Sequence, residues 1–208
     1  RQASGHDLHT PGTPPTVEGQ PSAIAHDWSP QLGPSAGEAR LVVDGREVVV
    51  VGSGYHDRNG ALLPLWQQGI DWWLWGRADV DDGTSRIVYA LWPQGGGPPA
   101  AVGVVTDARG QSRVVDVDID VGDRHRTWLG MGEVRRFVAT ERGSGAPFLV
   151  GEVAHRIDDG PFYLRHTLRA GVTSASAGTT GFLEVVDVGR IDRPWQRPFV
   201  RMRVTPPT

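Results

Sequence analysis

Residues 52 to 77 concentrate the side chains that could act on a substrate. Gly52-Ser53-Gly54-Tyr55-His56-Asp57-Arg58-Asn59-Gly60 supplies a phenol, an imidazole, a carboxyl and the chain's single asparagine. Trp66, Trp72, Trp73 and Trp75 are four of its eight tryptophans. The glycines after Val48 to Val51 let the backbone turn, which predicts that Tyr55, His56 and Asp57 stand at a strand end. On an extended strand His56 and Asp57 would point to opposite sides, so only a turn could pair them as base and orienter. The bland alternative is a structural knot in which Asp57, Arg58 and Asn59 satisfy backbone groups at the turn. Ile70 to Arg77 reads as a strand with Trp73, Trp75 and Arg77 on one face and Trp72, Leu74 and Gly76 on the other. Two indoles and a guanidinium side by side suit an apolar wall with one cationic anchor. They would equally suit a strand face covered by another segment.

Other titratable groups are less suggestive. Asp116, Asp118 and Asp120 alternate with Val115, Val117, Ile119 and Val121, which is a strand with one buried and one wet face. A calcium loop would need Gly after the third acid and Glu at its twelfth position, where Val121 and Thr127 stand. Glu152 and His155 have opposite parity. His166 shares an apolar face with Phe162, Leu164 and Leu168, and stays as a pocket candidate beside the ordinary reading of a satisfied core histidine. His6 and His9 read as solvated. No Gly-x-Ser-x-Gly elbow, phosphate-binding Gly-Lys loop, dinucleotide fingerprint or His-Glu-x-x-His helix is present. No metal ligand set and no cofactor is expected.

Gly-Tyr-His-Asp-Arg-Asn followed by Trp-Leu-Trp-Gly-Arg-Ala resembles the central signature of the hydroxyneurosporene synthase (carotenoid 1,2-hydratase) superfamily. Within it, the pattern looks most like the lipocalin-type pericyclases, the decalin-forming Diels–Alderases of polyketide pathways. Trp28-Ser29-Pro30-Gln31-Leu32-Gly33-Pro34 and Phe199 to Val204 add to the likeness, which spans most of residues 28 to 204. Those proteins usually carry an aromatic after the Asn, where Gly60 stands here. The resemblance implies a lipocalin-like barrel, and it implies that this chain is the C-terminal half of a protein with two similar halves. The N-terminal half is then an expected partner. Tyr55, His56 and Asp57 are the catalytic candidates, and Trp28, Asn59, Trp66, Trp73, Trp75, Arg77, Trp92 and His166 are the substrate-binding ones.

Composition narrows the classes. A net charge of −3 and a pI near 6.2, without an arginine run, argue against nucleic acid or an anionic membrane as partner. All 21 basic residues are arginine, which reads as the codon bias of a high-GC, actinobacterial genome and excludes lysine Schiff-base chemistry within the chain. Absence of cysteine excludes disulfides and thiol catalysis here. Apolar runs fall short of the roughly 20 residues of a membrane span, no signal peptide pattern is visible, and the expected location is cytoplasmic.

Residues 1 to 36, rich in Pro, Gly, Ser and Thr, read as an extended arm or linker in which Trp28 to Pro34 begins to dock. From about residue 37 to 205 the period is that of strands. Leu41 to Val43 and Val48 to Val51 flank an Asp44-Gly45 hairpin turn. Strands follow near 70–79, 86–92, 101–106, 113–121, 134–140, 148–157, 162–169, 181–188 and 198–204, with a helical turn allowed at 62–68. The fold class is therefore all-β, an antiparallel lipocalin-like barrel of nine or ten strands.

Three functions fit. A cofactor-free pericyclase would fold a polyene or polyketide in a tryptophan-lined pocket, with Tyr55, His56 or an indole bonding its activating carbonyl. An isoprenoid or carotenoid hydratase would use Asp57 or His56 as the acid and aromatic faces to stabilise the cation. A lipocalin-like binder would hold the same hydrophobic ligand without chemistry. The Gly-Tyr-His-Asp form of the signature favours the pericyclase.

Overall fold

The computed structural model describes residues 26–60, 63–173, 178–191 and 193–196, with the backbone alone at 27, 29, 31–36 and 123. Ten strands run β1 (Asp27–Val43), β2 (Arg46–Gly60), β3 (Ile70–Asp79), β4 (Ser85–Pro93), β5 (Ala100–Thr106), β6 (Ser112–Arg126), β7 (Gly132–Glu141), β8 (Pro147–Asp159), β9 (Tyr163–Gly171) and β10 (Thr179–Asp187). A 3-10 turn at Leu65–Gln67 falls within the expected helical stretch, and a single turn α1 (Val188–Ile191) follows β10. The last expected strand, 198–204, lies outside the described residues.

Strands β3 to β10 close into an eight-stranded barrel, each antiparallel to the next, with β10 returning to β3. Closure leaves the barrel no edge strands to protect. Its interior follows from alternation. Trp72, Leu74, Gly76 and Ala78 of β3 are buried, and Trp73, Trp75 and Arg77 stand on the outer face. On β6, Val115, Val117, Ile119 and Val121 pack toward the core and Asp116, Asp118 and Asp120 face solvent. Phe137 and Phe148 fill the centre and are completely buried. Glycine makes that possible: a Cβ at Gly151 would collide with the Phe137 ring, and one at Gly103 would stand 2.6 Å from the Phe148 ring.

β1 and β2 are not part of the barrel. Among the described residues they pair only with each other, as a long hairpin turning at Asp44 (φ 50°) and Gly45 (φ 75°). Here the structure differs from two expectations. Residues 37 to 60 stand outside the barrel rather than opening it, and the chain does not turn at Gly52 or Gly54, because β2 runs unbroken to Gly60. Pairing with β1 explains the continuity, since Gly52 and Gly54 sit opposite Gly37 and Ser35 in the ladder. Near its base the hairpin lies against the outer face of the barrel, where Tyr55 meets Trp75 and Arg77 donates to Ser53 Oγ at 3.0 Å. Beyond that it projects free: Val42 and Val51 are 77% and 76% exposed.

Candidate functional site

The cleft between the hairpin base and the barrel wall has a volume of about 180 Å³ and is lined by Trp28, Tyr55, Asp57, Asn59, Trp73, Trp75, Tyr89 and Glu184. Strand parity assembles it. Tyr55, Asp57 and Asn59 are alternate residues of β2, and Trp73 and Trp75 are alternate residues of β3's outer face. β4 brings Tyr89 opposite Trp75, and Trp28 of β1 pairs with Asn59.

Asp57 is the hub. Its Oδ2 accepts from Trp28 Nε1 at 2.8 Å and from Tyr55 Oη at 3.2 Å. The described hydrogen bonds leave Oδ1 unengaged. Burial first, then the charge of Asp57 and the hydrogen bond to it, push the Tyr55 phenol well above its ordinary range, so it stays a donor. Tyr89 is shifted the same way, by burial and then by Asp57. Among the described residues Tyr89 Oη is a buried polar atom without a hydrogen-bond partner, an unspent donor at the cleft, whereas the buried Trp75 Nε1 is directed at the Tyr55 hydroxyl and partly offsets the rise in its pKa. The rings interlock, with Trp28 and Tyr89 centroids 5.0 Å apart and Tyr55 and Trp75 5.5 Å apart. Arg77 stands 5.4 Å over Tyr55.

Behind the cleft lies His26, only 6% exposed, with its ring 5.3 Å from Trp73. Nδ1 lies 2.9 Å from Gln68 Oε1, and Nε2 lies 3.2 Å from Asn59 Oδ1. Gln68 Nε2 donates to the Leu63 carbonyl, which fixes that amide with its oxygen toward His26. The Nδ1 position therefore carries a proton.

Of the sequence-derived candidates, Trp28, Tyr55, Asp57, Asn59, Trp73, Trp75 and Arg77 come together at the cleft. His56 lies on the far face of β2 and is exposed. Trp66 is on the 3-10 turn and 37% exposed. Trp92 stacks on Trp72 at 3.6 Å, packed against the barrel core instead of lining the cleft. His166 is inside the barrel, 3.1 Å from the buried Glu133. Sequence reasoning singled out none of His26, Gln68, Tyr89 and Glu184 as site residues. The signal for His26 was its spacing of two from Trp28, hidden because residues 1 to 27 show no apolar period; His6 and His9 lie outside the described residues.

The carotenoid hydratase CrtC family profile matches residues 15–207. The chain belongs to that family. Among solved structures, an AttH from Nitrosomonas europaea shares the fold with a TM-score of 0.56 at 14% identity, over 78% of this chain and 52% of that one. Kievitone hydratase from Nectria haematococca aligns with a TM-score of 0.49 at 11% identity, over 72% of this chain and 49% of that one. The CrtC-family chain thus spans about half the length of both. No curated protein sequence matches it. The described residues contain no helix long and apolar enough to cross a membrane and no cluster of three metal-ligating side chains.

Proposed function

We propose that the cleft is the acid site of a hydratase acting on an isoprenoid or carotenoid alkene. The observation that carries it is Asp57, held at an aromatic wall by Trp28 and Tyr55 donating to one oxygen. A protonated carboxyl has one carbonyl oxygen to accept and one hydroxyl to donate. Among the described residues both donors occupy Oδ2, so Oδ1 is the oxygen placed to deliver a proton to the double bond. Proton transfer forms the new C–H bond and leaves a carbocation next to the carboxylate. The ring faces of Trp28, Trp73 and Tyr89 stabilise that cation. Water then forms the C–O bond and returns a proton to Asp57, so the net change is one water added. Tyr89 Oη would hold the water or a polar group of the substrate.

The family match supports hydration over the cyclisation that the Gly-Tyr-His-Asp pattern favoured. The unspent donor at Tyr89 suits an activating carbonyl too, and the experiment below separates the two reactions. A cleft of about 180 Å³ is below the usual range for a ligand pocket. In this reading a preceding lipocalin-like half of the same protein supplies the facing wall, and the naked valines of the hairpin pack into it.

The test is incubation of the full-length protein with an acyclic carotenoid and, separately, a linear polyene tetramate, followed by mass spectrometry of the recovered ligand. A gain of one water sustains the proposal. Unchanged mass with new retention would establish cyclisation instead, and recovery of both compounds intact would leave a binding protein.

A further inference from the structure

A second cavity, of about 560 Å³, opens at the end of the barrel where β3 starts and β6 and β10 finish. Its charged and titratable lining is Asp71, Arg124, His125, Arg126, Asp187, Arg190 and Arg193. Among the described lining residues, four guanidiniums against two carboxylates leave an excess of positive charge in a chain whose net charge is −3.

The arginines are held in different ways. Arg190 is buried and donates to the carbonyls of Pro161, Gly130 and Leu129, so it is an anchor for the rim. Arg124 lies 4.5 Å over the Trp72 ring, which itself stacks on Trp92. That arrangement presents its guanidinium edge while the face is occupied. Arg126 has one long bond, 3.4 Å to the Gly130 carbonyl. Burial depresses the Arg190 pKa, Asp187 opposes this, and the like charges of Arg193 and Arg126 add to the depression. Cations crowd one another here.

We propose that the barrel mouth is a binding site for a diphosphate group, gripped by Arg124 and Arg126 from β6 and by Arg193 from beyond α1. Guanidinium edges form bidentate bonds with phosphate oxygens. The cavity is larger than one phosphate requires, and a group with several negative charges answers the excess of guanidinium over carboxylate. The site is separate from the aromatic cleft and does not depend on its assignment.

Titration calorimetry with inorganic diphosphate, orthophosphate and sulfate tests this on the wild type and on the double variant Arg124→Ala/Arg126→Ala. Both replaced side chains are exposed, and thermal melting verifies that the variant folds. Diphosphate is expected to bind more tightly than the two single anions, and the variant to weaken it about tenfold or more. Geranyl diphosphate, run in parallel, distinguishes a site for the free anion from one that also holds an ester's organic part. Absence of heat with diphosphate at about millimolar concentration, equal affinity for sulfate, or an unchanged affinity in the variant would each overturn the proposal.

Discussion

The barrel and the hairpin that leans on it are made of similar residues and stand in opposite situations. In the barrel, each strand has two partners and its inward side chains meet others across the interior, so Leu74, Phe137 and Leu183 are wholly buried. In the hairpin, Leu41 to Val43 and Val48 to Val51 have, among the described residues, one partner strand and no covering layer, and their side chains are exposed. An isolated two-stranded ribbon is marginal in water, and apolar residues on both faces are the pattern of a strand buried on both sides. The difference teaches that the barrel buries its own apolar residues, whereas the hairpin does so only at its base, where it meets the barrel wall, and leaves its tip exposed. The cleft sits on the seam between the two.

The sharpest way to test this division is Asp57→Asn. Loss of a positioned acid costs typically 10²–10⁴-fold in rate, while the barrel, which does not use Asp57, should melt as before. A melting temperature that falls with activity would make Asp57 a structural residue and erase the distinction. Gly151→Ala attacks the other side. Its methyl meets Phe137 and Leu168 inside the barrel, and over-packing of this kind costs about 1–3 kcal/mol, read as a lower urea midpoint with the cleft's residues untouched.

Acid should also act on the barrel first. His166 Nε2 donates to Glu133, and its buried Nδ1 has no partner, so a second proton would find no acceptor. Burial chiefly lowers the His166 pKa, Glu133 opposes this, and Arg156 and Arg135 add to the lowering. For Glu133, burial would raise the pKa, and hydrogen bonds from Arg156 and His166 overcome it and lower the value. Both groups therefore bind protons more readily unfolded than folded, and stability rises with pH through their windows. It is complete above the ordinary histidine value of 6.5, declines as pH falls below it, and declines again below the ordinary glutamate value of 4.5. Urea unfolding from about pH 2 to 8 measures this, and Glu133→Gln should flatten the lower step.

The smallest effect is expected at the hairpin tip. Val42→Thr with Val51→Thr should change the stability of this chain by no more than about 0.5 kcal/mol, since both side chains are already in water. In the full-length protein the same pair should destabilise measurably. Equal, negligible effects in both would mean that nothing covers the tip.

Much of this was legible from residue order alone. Period-two alternation identified the strands and divided β3 correctly between its indole-bearing outer face and its core face, because pleating ties side-chain direction to parity. The Asp44-Gly45 turn was local in the same way. Composition alone excluded thiol and lysine chemistry. Which strands close the barrel was not legible, because local alternation reads the same in a hairpin as in a barrel stave. His26 and Tyr89 were invisible as site residues for a related reason. They lie 42 and 21 residues from Gln68, and only the pairing of β1 with β2, and of β3 with β4, carries them to Asn59, Trp73 and Trp75. His56 shows the converse. Its neighbours made it look catalytic, and the uninterrupted strand turned it away. Residue order set the faces, whereas the tertiary structure chose which faces meet, since that choice depends on contacts between residues distant in the chain.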